Sequence, residues 1–119
     1  MSMESDLTSL LQTVCTRVYP GIAPPDTAMP YATYQHIGGV SLVFLDNTPG
    51  DKRNSYMQIN VWSARSLESM ALIRQIEDAL RLSPAFIARS QGEPLAMPEV
   101  DPVQTRYGAM QRFSLWSGR

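Results

Sequence analysis

Ser55-Tyr-Met-Gln-Ile-Asn-Val-Trp-Ser63 alternates from one residue to the next, with Met57, Ile59 and Val61 on one side and Tyr56, Gln58, Asn60 and Trp62 on the other. That period of two is the signature of a strand with one face on a core. The opposite face holds a Trp, a Tyr and two amides, a composition typical of surfaces that meet a partner. The stretch runs directly into a helical pattern. Ser66 reads as its N-cap and Glu68 favours the dipole of its first turn. Met70, Ile73, Ile76 and Leu80 then recur at helical spacing, widened by Leu72 and Ala79. Glu77 and Arg81, four apart in the favourable order, add about 0.3 kcal/mol on an exposed face, and Ser83-Pro84 stops the helix.

Outward from this unit, Leu7, Leu10, Leu11, Val14, Cys15 and Val18 form an apolar stripe that predicts a helix from Glu4 to Val18, ended by Tyr19-Pro20-Gly21. Pro24, Pro25 and Pro30 make Ile22 to Pro30 an extended surface connection. Strand signals return at Tyr31 to Ile37. Gly38-Gly39 then breaks them, and Leu42 to Leu45 is a short apolar run that could form a hairpin partner. Asp46 to Asp51 is a loop by composition. Between Phe86 and Pro102, three prolines limit the chain to a loop or an edge strand around Leu95 to Met97. Thr105 to Trp116 reads as a long closing strand, with Tyr107, Ala109, Phe113 and Leu115 on one face and Arg106, Met110, Arg112 and Trp116 on the other. The expected fold is α+β, a single domain over 1–119. Its antiparallel or mixed sheet has about four to five strands, with two helices packed on one face.

Length and composition set the limits. A chain of 119 residues closes one core. Hydrophobic content of 44%, charged content of 18%, nine prolines and seven glycines describe a globular domain with several tight connections. A net charge of -1 offers no global reason to bind nucleic acid or an anionic membrane. The N-terminus has no signal-peptide pattern and no apolar run reaches membrane-spanning length, so cytoplasmic synthesis without membrane attachment is expected. The ten basic residues are nine arginines and Lys52. Arginine is the cation of interfaces, and a GC-rich coding sequence produces the same bias.

Candidate chemistry is thin. One histidine, His36, excludes a site built on two histidines, and the single Cys15 excludes an internal disulfide or a CxxC metal site. Cys15 lies in the first apolar stripe, as a buried inert thiol does. Ser41, His36 and Asp46 make a triad on paper only, with no G-x-S-x-G elbow behind it. Asp46 and Asp51 flank Pro49-Gly50 at a spacing that matches no calcium loop. Arg106, Arg112 and Trp116 on one strand face could stack on bases, but without further basic residues nearby they read better as a subunit interface. No catalytic residue, cofactor or metal is expected.

Pro30-Tyr-Ala-Thr-Tyr-Gln35, Gln58-Ile-Asn-Val-Trp-Ser63, the helix Leu72-Ile-Arg-Gln-Ile-Glu-Asp-Ala-Leu80 and the closing Gln111-Arg-Phe-Ser-Leu-Trp116 follow one another in an order that resembles the tail completion, or tail terminator, proteins of long-tailed phages and prophages. The resemblance runs from Leu7 to Trp116, is weakest from Phe86 to Pro102, and implies a fold like that of the lambda tail terminator. It implies a structural virion protein, assembled in the host bacterial cytoplasm into a hexameric ring at the head-proximal end of the tail. Such a ring stops tube polymerisation and provides the head-joining surface. The partners it implies are other copies of the chain, the major tail tube protein and a neck or head completion protein, with DNA only as passing cargo. The residues expected at those interfaces are Leu42, Phe44, Asp46, Asp51, Arg53, Trp62, Arg106, Arg112 and Trp116. The loop from Gly38 through Arg53 is expected to project from the ring towards the tail tube or neck. Other head–tail connectors, or an adaptor domain that adds a strand to its edge, fit the same residues. A small enzyme using His36 with Asp46 and Asp51 is a further reading.

Overall fold

The computed structural model describes residues 3–24, 27–39, 52–100 and 105–118. It consists of α1 (Met3–Gln12), β1 (Val18–Pro20), β2 (Tyr31–Gly38), β3 (Lys52–Ser63), α2 (Ser66–Leu82), β4 (Ile87–Ser90), β5 (Leu95–Val100) and β6 (Thr105–Gly118). The six strands form one mixed sheet in the order β1-β2-β3-β6-β4, and β5 also pairs with β6. The fold is α+β as the sequence predicts, with more strands than the four to five expected.

The two long strands β3 and β6 pair antiparallel without interruption from Lys52↔Gly118 to Ser63↔Tyr107 and form the middle of the sheet. Alternation determines which side is buried. Met57, Ile59 and Val61 from β3, and Ala109, Phe113 and Leu115 from β6, meet Leu7 and Leu11 of α1 and Ile73, Ile76 and Leu80 of α2 in one core. Both helices therefore cover the same face. Cys15, three residues beyond α1, completes this core, and burial pushes its thiol pKa up; it is buried, as its place in the apolar stripe predicts.

The structure revises three local expectations. The first helix ends at Gln12 rather than Val18. Thr13 turns the chain by bonding its hydroxyl to the Leu10 carbonyl at 2.6 Å, and the Val14 and Cys15 amides both bond the Leu11 carbonyl. The β-branched Thr13, Val14, Thr16 and Val18 weaken helix beyond this point. Val18 still packs on the core, but from β1, which runs parallel to β2 with Val18↔Ala32 and Pro20↔Tyr34 in register. That pair makes the sheet mixed.

Second, the N-cap of α2 is Arg65, without a side-chain cap, and Ser66 is the first helical residue. The turn is held instead by Ser63, whose hydroxyl lies 2.6 Å from the Arg65 carbonyl, and by Ser69, whose hydroxyl lies 3.0 Å from that carbonyl and 2.8 Å from the Tyr107 carbonyl. Third, the region after α2 holds two strands. Both pair antiparallel with β6, in registers offset by two residues: Ser90↔Phe113 before the break and Leu95↔Met110 after it. The Gln91–Pro94 segment absorbs the offset. Gln111 secures it from beneath, its side-chain amide facing Ser90 Oγ at 2.8 Å, the Gly92 carbonyl at 2.9 Å and the Glu77 carboxylate of α2. Glu77 also makes the expected pair with Arg81, at 3.4 Å.

Candidate functional interface

The sheet face opposite the helices displays the even-numbered side chains of β3 and β6 and the odd-numbered ones of β2. No described helix covers it. Register assembles it in rows: Tyr31, Trp62, Gly108 and Met97 in one, then Thr33, Asn60, Met110 and Leu95, then Gln35, Gln58 and Arg112. Asn54, Trp116 and Ile87 form a last row. Trp62 and Trp116 thus mark the two ends of the face, eight β3 positions apart or about 27 Å.

At the Trp62 end the parts interlock. Gly108 lies opposite Trp62, and a Cβ there would come within 2.7 Å of the indole ring and 3.1 Å of the Met97 carbonyl. The strand therefore requires a glycine at this point so that the indole can approach the backbone closely. Arg106 stacks its guanidinium 5.4 Å from the Trp62 ring centre and donates to the Tyr31 hydroxyl at 2.7 Å. The segment after β1 turns at Gly21, whose φ of 76° favours glycine and whose amide bonds the Tyr34 carbonyl at 2.8 Å. Gly21, Ile22 and Ala23 thereby become one wall of an open pocket of about 230 Å³ with Tyr31, Thr33, Asn60, Trp62 and Arg106. Ile22, on this wall, is 88% exposed.

Between the two tryptophans runs a polar ladder. Gln58 donates to Asn60 and Asn60 to Thr33, each at 3.3 Å. Asn54 donates to Ser114 Oγ at 2.9 Å beside Trp116. Among the side chains described on this face the charges are Arg89, Arg106 and Arg112, all positive.

Of the residues expected at an interface, Trp62, Arg106, Arg112 and Trp116 share this face. Arg53 is exposed near the start of β3, opposite Ser117 and on the other parity, so it stands apart. Leu42, Phe44, Asp46 and Asp51 lie outside the described residues, as do Ser41 and the apolar run to Leu45. His36 is exposed near the end of β2. Sequence reasoning missed Tyr31, Gly108 and the Gly21–Ala23 wall. Gly108, a lone glycine inside a strand pattern, was the available signal for a close approach.

The α+β domain thus presents a sheet face that no described helix covers, with an aromatic cluster at one end. Residues 2–116 match the family of tail completion protein gp17. The chain belongs to that family, one of phage structural proteins rather than an enzyme class. In structure it is similar to bacteriophage SPP1 gp17, with a TM-score of 0.53 and 18% identity over 94% of this chain and 86% of that one. It is similar also to a chain in the virion of a native gene transfer agent particle, with a TM-score of 0.51 and 18% identity over 94% and 84%. A protein of Akkermansia muciniphila shares the fold at a TM-score of 0.52 and 8% identity, with 96% of this chain matched to 48% of that one. No curated protein matches the chain in sequence.

Proposed function

We propose that this protein is the tail terminator of a long-tailed phage or prophage: a subunit that closes into a hexameric ring on the head-proximal end of the tail tube, stops its growth and presents the surface to which the neck or head completion protein binds. Family membership supports the tail completion role, and the uncovered face between Trp62 and Trp116 is the observation that carries assembly. A ring needs two different patches per subunit that match head to tail with a closing rotation. The aromatic face supplies one of them. A net charge of -1 also suits a conduit that DNA traverses, because a strongly basic lumen would retain it.

The direct test is to add the purified protein to tail tubes assembled without it, together with free tube subunits, and to image the tubes by electron microscopy. A ring is expected at one end of each tube, and tube length should stop increasing. Tubes that continue to lengthen and carry no added density would contradict the proposal.

A further inference from the structure

The two broad surfaces of the subunit differ in charge and match in length. The sheet face carries Arg89, Arg106 and Arg112 among its described side chains, whereas the outward side of α2 carries Glu68 and Asp78 together with Arg74 and Arg81. The ion pairs found among the described residues, Arg74 with Glu93 and Arg81 with Glu77, set both cations of α2 against carboxylates and include neither Glu68 nor Asp78, so acid is in excess on this side.

On the side of α2 away from the core, Leu67, Ala71, Gln75, Asp78 and Leu82 fall in one stripe, and the two leucines are 86% and 84% exposed. A partner laid along the helix would remove both side chains from water. Fifteen helical positions separate these leucines, about 22 Å, against about 27 Å between the rows of Trp62 and Trp116. An apolar contact at each end, with acid opposite arginine between them, is therefore available to a helix laid along the sheet.

We infer that the outward face of α2 in one copy covers the open sheet face of the next copy, so that the aromatic, arginine-bearing surface and the leucine-ended, acidic surface are the two halves of one head-to-tail interface. Each subunit has both halves, and two sheet faces brought together would set arginine against arginine. The contact is thus heterologous and propagates around a ring instead of stopping at a dimer. This inference rests on the ring proposed above and names the surfaces that build it.

Charge reversal tests it without depending on which acid meets which arginine. Arg89→Glu with Arg112→Glu forms one variant, Glu68→Arg with Asp78→Arg a second, and all four changes a third. All four positions are exposed, so each variant should keep the wild-type circular-dichroism spectrum. Each two-residue variant should reduce assembly on tail tubes by at least about tenfold, and the four-residue variant should recover most of it, since only complementary charges restore the contact. Equimolar mixing of the two two-residue variants should also restore ring closure, because in an alternating ring each native helix face meets a native sheet face and each reversed helix face meets a reversed sheet face.

Wild-type rings that tolerate both reversals, or a four-residue variant as defective as its parents, would overturn the inference while leaving the ring intact. Failure of the wild type to assemble would overturn the ring and the interface together. Retained assembly in the Arg89→Glu, Arg112→Glu variant, combined with loss of wild-type binding to a fluorescent single-stranded oligonucleotide, would assign the sheet face to nucleic acid and overturn the inference.

Discussion

Replacing Phe113 by alanine should cost about 3–5 kcal/mol of subunit stability. Phe113 is the largest of the fully buried side chains and lies on the middle strand β6 opposite Met57, where the sheet meets the helices. Truncation removes the transfer energy of the ring and leaves a cavity in a layer whose backbone is pinned by strands on both sides. Against a total of about 5–15 kcal/mol for a domain, that loss is a large fraction. Urea denaturation followed by circular dichroism measures it as a lowered midpoint with an unchanged slope. A loss below about 1 kcal/mol would mean that the core is centred elsewhere.

Trp62→Ala should have the opposite profile. The indole lies on the sheet face away from the helices, close against Gly108 and under the Arg106 guanidinium, and is half-buried. Its removal should leave the folded spectrum in place and weaken each subunit contact by about 2 kcal/mol or more. A closed ring contains as many contacts as subunits, so the loss compounds around it. Sedimentation analysis and tube capping should both register the defect. Loss of the folded circular-dichroism signal, with a stable wild-type monomer, would place Trp62 in the core and remove it from the interface. Trp116→Ala at the far end of the face should follow Trp62→Ala in kind.

These two residues illustrate what could be read from the chain. Parity along β3 and β6 assigns Phe113 inward and Trp62, Arg106, Arg112 and Trp116 outward, because alternation is a local property of an extended backbone and both strands are long enough to display it. The partners of Trp62 were not legible. Tyr31 and Gly108 reach it through cross-strand register, which depends on how distant segments pair.

The first helix was overextended because Val14, Cys15 and Val18 continue its apolar spacing while reaching the core from a turn and a strand. The segment from Ile87 to Val100 gave little signal for a physical reason. Its strands lie along β6 with their large apolar residues Ile87 and Leu95 exposed, so hydrophobicity does not mark the inward side, and the prolines argue for a loop. The apolar run and acidic loop between Gly38 and Arg53 were prominent in sequence, and residues 40–51 fall outside the described part of the chain.

If this subunit terminates the tail, its loss should show in the length of the tails made without it. Electron microscopy of lysates from a phage or prophage in which only this gene is inactivated should show tails of irregular, often excessive length, and heads filled with DNA but unattached. Supplying the wild-type chain in trans should restore uniform, head-joined tails. Normal virions in the absence of the protein would show that another component terminates the tail.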